Sequence, residues 1–129
     1  MQQVLDFLKQ AGTYYLGTVD GDQPRVRPFG TINLYDGNLY IQTGKVKDVS
    51  KQIEKNPKIE ICAMNEGSWI RIAATAVEGD NASQESMLEA YPNLKKMYTA
   101  GDGNTVAYML KDATATISSF GGEPKVIKL

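Results

Sequence analysis

The sequence predicts a small antiparallel β-barrel with short helices, in the mainly β (α+β) class. Six β-rich runs can be recognised, and most neighbouring runs are joined by residues of the kind that form hairpin turns. Helical periodicity is confined to short stretches between these runs. Closure into a barrel removes exposed sheet edges. The length of 129 residues, 42% of them hydrophobic, fits a single domain over 1–129 with a core of its own.

An amphipathic helix and an antiparallel meander are predicted for the first third of the chain. Apolar residues from Val4 to Ala11 recur at helical spacing, and Gly12 is suited to end a helix because glycine tolerates positive φ. Residues 13–43 then hold three β-rich runs. Asp20-Gly21 and Asp36-Gly37-Asn38 separate these runs, and both are typical of hairpin turns.

The middle of the chain is predicted to form one helix and one hairpin. Apolar residues from Val46 to Ile53 recur at steps of three and four, and lysines recur every four, so the period is helical. Asn56-Pro57 ends this helix. Two further strands follow over Lys58–Met64 and Ser68–Glu78, joined at Asn65-Glu66-Gly67.

The last third is predicted to contain a capped helix and one long strand. The segment from Ser83 to Tyr91 begins with a serine suited to capping and continues with apolar residues. A mobile connector is expected over 98–107. Tyr108–Phe120 alternates as a strand, with a bulge or turn at Lys111-Asp112. Residues 121–129 indicate no clear element.

The composition excludes several classes of function. The chain has no histidine, so Ser-His-Asp catalysis, Cys-His catalysis and histidine-ligated zinc or haem are ruled out. A single cysteine forms neither an intramolecular disulfide nor a metal-binding cluster, which favours a reducing, cytoplasmic setting. The net charge of -1 provides no basic field for nucleic acid. No apolar run approaches the roughly 20 residues that cross a bilayer, and no signal peptide is recognisable, so no membrane association is expected.

The most informative stretch is residues 39–53, where a strand ends at Thr43, a glycine turns the chain and a helix begins. Lys45, Lys47 and Lys51 accompany this junction. Backbone N–H groups at a helix N-terminus, a threonine hydroxyl and lysines together suit a phosphate group. The P-loop pattern is absent, so hydrolysis of nucleoside triphosphates is not implied. The alternative is that these lysines form a solvated helix face.

A second candidate stretch is residues 24–32, which hold two of the three arginines and place Pro28 within an apparent strand. Proline lacks a ladder donor, so the backbone here lies at a sheet edge, a bulge or an opening. Such backbone can offer its polar groups to a planar heterocycle. The alternative is a β-bulge with exposed arginines.

The aromatic residues allow two interpretations. Trp69 and Arg71 share one face of a regular strand. They either wall a flat, charged ligand or lie in a core or a subunit interface, where both residue types are common. The apolar series from Met87 to Tyr98 indicates core or partner-facing surface rather than a site.

In these features together, the chain resembles the FMN-binding split barrels of the pyridoxamine 5'-phosphate oxidase-related family. The resemblance covers most of the chain and rests on three motifs in order: the run DQPRVRPFG at 22–30, the strand segment at 39–43 and the basic helix that closes in Asn56-Pro57. It implies a six-stranded antiparallel split β-barrel of Greek-key type. It also implies a homodimer with FMN bound at the subunit interface.

The resemblance further implies a set of cofactor-binding residues. Carried over by position, these are Arg27, Pro28 and Phe29 along the isoalloxazine ring, Gln42 and Thr43 near the ring and phosphate, Lys45, Lys47 and Lys51 at the phosphate, and Trp69 and Arg71 from the partner subunit. It indicates no catalytic residue, because the flavin itself carries the electrons.

Two departures from the family bear on function. Counting back from Asn56-Pro57 places Val49 where the family often has a lysine, so Lys47 or Lys51 must take its place. Authentic oxidases carry arginine and histidine in a C-terminal substrate region, and a chain without histidine does not match it. Oxidation of pyridoxamine phosphate is therefore not expected.

The leading hypothesis is an FMN-dependent oxidoreductase that acts on an unknown small substrate. A dissociable electron donor is expected, because the chain has no Gly-x-Gly-x-x-Gly fingerprint for a resident dinucleotide. Two alternatives stay open: a deazaflavin-binding reductase of the same superfamily, and a cofactor-free binding or regulatory barrel, which the departure at Val49 favours. A haem-handling barrel is disfavoured because its nitrogen ligand is missing.

Overall fold

A computed structural model describes residues 1–129 and contains one eight-stranded sheet with three α-helices packed around it. The helices are α1 (Gln2–Ala11), α2 (Asp48–Lys55) and α3 (Asn81–Ala90), followed by a 3-10 helix at Pro92–Lys96. The strands are β1 (Tyr14–Asp20), β2 (Gln23–Phe29), β3 (Asn33–Tyr35), β4 (Asn38–Gly44), β5 (Lys58–Asn65), β6 (Ser68–Glu78), β7 (Thr105–Ser119) and β8 (Lys125–Lys128).

The sheet is antiparallel throughout and runs in the order β2-β1-β5-β6-β7-β4-β3, with β8 added to β7. Alternating side chains give the sheet one buried side, as strand β6 illustrates. Its Ile70 and Ile72 point into the core, while Trp69 and Arg71 point outward. The core cluster contains 22 buried residues drawn from α1, α2 and most strands. The predicted antiparallel split barrel is confirmed.

The split in the barrel lies between β2 and β4, which are not paired as neighbouring strands. The connection that follows β2 passes beside β4, where the Thr31 hydroxyl accepts a hydrogen bond from the Gln42 amide (3.0 Å) and donates to the Gln42 carbonyl oxygen (3.3 Å). The buried Tyr14 also holds this connection in place, because its hydroxyl donates a hydrogen bond to the Thr31 carbonyl oxygen. A side chain therefore bridges the strands where a backbone ladder is missing.

The strand count corrects the predicted six to eight. The second β-rich run divides into β2 and β3 around Thr31, and the C-terminal tail, in which no element was predicted, pairs with β7 through residues such as Ile127. Strand β7 begins at Thr105, within the segment predicted to be a mobile connector. The N-cap of α3 is Asp80 rather than Ser83, because the Asp80 carboxylate accepts the Ser83 N–H at 2.9 Å.

The three α-helices have ten residues at most, and none combines the length and the apolar character needed to span a membrane.

Candidate functional site

A groove of about 1180 Å³ opens where the barrel is split. One wall is β2 with the turn after it, and a second is the N-terminal part of α2 with the end of β4. The third is the turn that follows α3. Its main lining residues are Arg25 to Thr31, Gln42, Thr43, Lys47, Val49, Lys51, Gln52, Lys55, Leu94, Met97 and Tyr98.

Strand β2 presents a free edge to the groove. It is the terminal strand of the sheet and pairs only with β1, and it accommodates two prolines, Pro24 and Pro28. Of the three settings predicted for the backbone at Pro28, a sheet edge, a bulge or an opening, the structure shows a sheet edge. A strand paired on one side only keeps about half of its backbone N–H and C=O groups free, and these are available to a ligand.

Arg27 is held rigidly on the inner side of β2. Its guanidinium donates to the Leu16 carbonyl oxygen (3.1 Å), the Thr18 hydroxyl (2.7 Å) and the Gln52 side-chain oxygen (2.7 Å). Burial lowers the pKa of Arg27, while Asp48 nearby raises it, and the group remains a cation at neutral pH. Three of five N–H donors are used, so two remain for a ligand in the groove.

The start of α2 has the features of an anion site. Lys47 is the N-cap residue in an extended conformation, and no side chain caps the first N–H groups of the helix. Neither Lys47 nor Lys51 is in an ion pair, although both line the groove. Val49 is 5% exposed and belongs to the core, so the residue in the family's lysine position serves packing.

Gln42 and Thr43 lie at the end of β4, buried at the back of the groove. The Gln42 amide group donates to the Thr43 carbonyl oxygen (3.0 Å) and to the Thr105 hydroxyl (3.1 Å). With both of its N–H groups engaged, the Gln42 side-chain oxygen is left to accept a hydrogen bond from a ligand.

Three predicted residues lie outside the groove. Lys45 turns away and pairs with Glu78 at 3.1 Å, and this contact raises the pKa of Lys45. Trp69 is half-buried on the outside of β6, with its ring centroid 5.2 Å from that of Phe120. Arg71 is exposed on the same face. The groove of one chain thus brings together the predicted residues of β2, β4 and α2, but not these three.

The third wall was missed by sequence reasoning. Leu94, Met97 and Tyr98 belong to the series interpreted as core or partner-facing surface, and Tyr98 is indeed buried. Tyr98 packs closely on Gly44, where an added Cβ would lie 3.0 Å from the tyrosine hydroxyl. The only sequence signal was the three-residue spacing of Leu94 and Met97 after a proline, which core helices share.

Fold and groove together define a split barrel of the type predicted. The sequence model of the family described as pyridoxamine 5'-phosphate oxidase matches residues 1–111, and the chain belongs to this family. The chain is 43% identical to a NimC/NimA family protein from Clostridium acetobutylicum. That crystal structure aligns with a TM-score of 0.95, over 100% of this chain and 92% of the other.

More distant structures share the fold. A pyridoxamine 5'-phosphate oxidase-related, FMN-binding protein from Nostoc punctiforme is 14% identical, with a TM-score of 0.63 over 99% of this chain and 95% of the other. A heme-binding protein from Mycobacterium smegmatis is also 14% identical, with a TM-score of 0.72 over 93% of this chain and 54% of the other. No curated protein matches the sequence.

Proposed function

We propose that this protein binds FMN in the groove and is a flavin-dependent oxidoreductase acting on a small molecule. The observation that carries the proposal is the meeting, in one groove, of a free strand edge bearing Arg27 with an uncapped helix start bearing Lys47 and Lys51. The first suits a flat heterocycle and the second suits a phosphate. Membership of the family supports the same cofactor.

The residues at the start of α2 fit the phosphate of FMN. Their backbone N–H groups have no side-chain acceptor, and the positive end of the helix dipole adds to the charge of Lys47 and Lys51. Lys45 is left out of the proposed set, because its ammonium group is engaged by Glu78. The valine at position 49 does not remove the site, since the lysines on either side of it line the groove.

The residues along β2 fit the ring. Pro28 and Phe29 line the groove with carbon atoms, while the free backbone edge offers polar groups in the plane of the strand. Arg27 is immobilised by three hydrogen bonds and can place positive charge beside a bound ring without further ordering. When bound, FMN supplies electron transfer between a donor and an acceptor, and the protein orients the ring and adjusts its electrostatic surroundings.

We further propose that the protein is a homodimer whose second copy covers the outer face. The outer face is the side of β1, β5, β6, β7 and β8 turned away from the core, together with the turn between β7 and β8. It carries a group of apolar residues, half-buried or exposed, for which the single chain provides no cover: Tyr15, Met64, Trp69, Phe120 and Val126. Exposed apolar residues gathered on one face of a sheet are typical of subunit interfaces.

The outer face is continuous with the groove. Pro28, Tyr15, Cys62 and Arg71 are successive partners across four neighbouring strands, and Pro28 also lines the groove. A second copy seated on this face would therefore border the open side of the groove. This arrangement supports the prediction that Trp69 and Arg71 contribute to the site of the partner subunit.

The first experiment is a visible absorption spectrum of the purified protein, followed by titration of colourless protein with FMN. Trp69, the only tryptophan, reports binding by fluorescence quenching. Riboflavin is the matched control ligand, since it has the same ring without the phosphate. We expect saturable binding of FMN and weaker binding of riboflavin.

Each other outcome points to a different function. Binding of a deazaflavin nucleotide in place of FMN would support the deazaflavin reductase, and a haem spectrum would place the protein with its heme-binding structural neighbour. Absence of colour and of all binding would support a cofactor-free barrel. Equal affinity for FMN and riboflavin would show that the phosphate assignment at α2 is wrong, while the ring assignment at β2 would stand.

A further inference from the structure

We propose that Leu94 and Met97 form an apolar wall that selects an uncharged, apolar ring compound as the second ligand of the groove. The inference rests on the proposed function, because this wall and the proposed FMN site belong to the same groove. It concerns the substrate side of that groove and identifies the residues that determine specificity there.

The wall is one tight turn with two distinct sides. The Leu94 carbonyl oxygen accepts from the backbone N–H groups of both Met97 (3.0 Å) and Tyr98 (2.9 Å), so these three residues share the turn. All three line the groove. The two lysines between them, Lys95 and Lys96, do not line it, and Lys95 pairs with Glu89 at 3.0 Å. The turn therefore presents its apolar side to the groove.

Tyr98 anchors the turn to the barrel. It is 7% exposed, and its hydroxyl oxygen would lie only 3.0 Å from a Cβ added at Gly44. Its neighbour Met97 is 69% exposed. A methionine that projects from a fixed anchor into a concave site is an adaptable apolar surface for a ligand.

The charges of the groove lie on its other walls. Its cations come from β2 and α2, as Arg25, Arg27, Lys47, Lys51 and Lys55, and the turn adds none. A phosphate or carboxylate on the second ligand would therefore have no partner at this wall, whereas apolar carbon would gain from leaving water. The volume of about 1180 Å³ also exceeds the range of about 300–1000 Å³ typical of a single small-molecule site.

The test uses two probes of nearly equal size, uncharged 2-naphthamide and anionic 2-naphthoate. Their dissociation constants are measured by ligand-observed NMR for the wild-type protein, Met97→Asp and Met97→Ala, with and without saturating FMN. Val46→Asp is the matched control, because Val46 is 70% exposed and does not line the groove. Thermal melting confirms that each variant is folded.

We expect the FMN-loaded wild-type protein to bind the amide about tenfold more tightly than the carboxylate. Met97→Asp should weaken the amide about tenfold, Met97→Ala by a smaller factor, and Val46→Asp by less than about twofold. Equal binding of the two probes, no binding of the amide, or an unchanged affinity in Met97→Asp would overturn the proposal.

The FMN titration of the same samples separates the two proposals. If FMN binds and Met97→Asp leaves the affinity for the amide unchanged, the proposed role of Leu94 and Met97 is wrong and the proposed function stands. If FMN fails to bind and Met97→Asp still weakens binding of the amide, the proposed role of Leu94 and Met97 stands and the proposed function is wrong.

Discussion

The groove and the outer face belong to one sheet but differ in surface chemistry. In the groove, Arg27 is fixed by three hydrogen bonds, and Lys47 and Lys51 have no carboxylate partner. On the outer face, exposed apolar side chains such as Met64 (63% exposed) and Phe120 (87%) lie among charged ones such as Arg71. One region suits a small anionic ligand and the other suits a protein surface.

The comparison shows how one sheet can serve two kinds of recognition. The groove lies at the split edge of the sheet and the outer face lies on its middle strands, so the two regions use different residues. They meet where β2 pairs with β1, since Pro28 lines the groove and is the partner of Tyr15 on the outer face. Substitutions can therefore disturb one region and leave the other intact.

The largest effect is expected from placing a charge on the outer face. Met64→Glu should raise the dissociation constant of the dimer about a hundredfold or more, because a carboxylate would be buried without a partner. Light scattering of the FMN-loaded protein over a range of concentrations measures it. Val46→Glu, at an equally exposed apolar residue away from this face, should remain dimeric. A wild-type protein that is monomeric at high concentration would contradict the dimer.

The next effect concerns the phosphate end of the groove. Lys47→Ala and Lys51→Ala should each weaken FMN by about 1.5–3 kcal/mol, since each removes a charge-assisted contact. Fluorescence titration measures this loss, and riboflavin affinity should not change. Lys45→Ala serves as the control, because its ammonium group is paired with Glu78 outside the groove. If both groove variants bind FMN like the wild-type protein, the phosphate assignment is wrong.

A smaller effect is expected on the stability of the protein when a residue fixed in the groove is replaced. Arg27→Met removes the hydrogen bonds to Leu16, Thr18 and Gln52 and should lower the free energy of unfolding by about 1.5 kcal/mol in urea denaturation. Arg25→Met is the matched control on the same strand. Its exposed pair with Asp20 is expected to contribute less than about 1 kcal/mol. Equal losses in the two variants would mean that Arg27 is not specially fixed.

The smallest effect is a pH dependence in the loop that supports the groove. The backbone N–H groups of Thr99, Asn104 and Thr105 lower the pKa of the Asp102 carboxyl. Because the folded value lies below the unfolded one, this stabilisation is fully present above the ordinary pKa of about 3.9 and is lost as pH falls through the folded value. The same loop accepts the Lys45 N–H through the Asn104 carbonyl oxygen, at the approach to α2.

The measurement is the melting temperature of Asp102→Asn across pH. The variant should melt slightly below the wild-type protein from about pH 5 to pH 8, and the difference should disappear in stronger acid. Asp22→Asn is the control, since the Asp22 side chain makes no hydrogen bond in the structure. A constant difference down to the lowest pH would show that the carboxylate charge is not responsible.

Local patterns predicted most of the elements and seven of the residues that line the groove. Hairpin signals such as Asp20-Gly21 fall at observed turns, and the helix predicted to end at Gly12 does so. Pro28 correctly indicated a sheet edge, because proline cannot donate to a ladder on its far side. Strand β8 was missed because it is short and largely exposed, so backbone pairing with β7 rather than side-chain periodicity defines it.

The sequence by itself determined most of the elements, the family and the chemical groups available for a cofactor. Periodicity, turn residues and the composition are local properties, and they need no knowledge of which strands become neighbours. Tertiary structure alone decided which of those groups meet. It turned Lys45 toward Glu78, placed Val49 in the core and brought Tyr98 onto Gly44 to build the third wall. Such contacts depend on packing between segments far apart in the chain, and no local pattern specifies them.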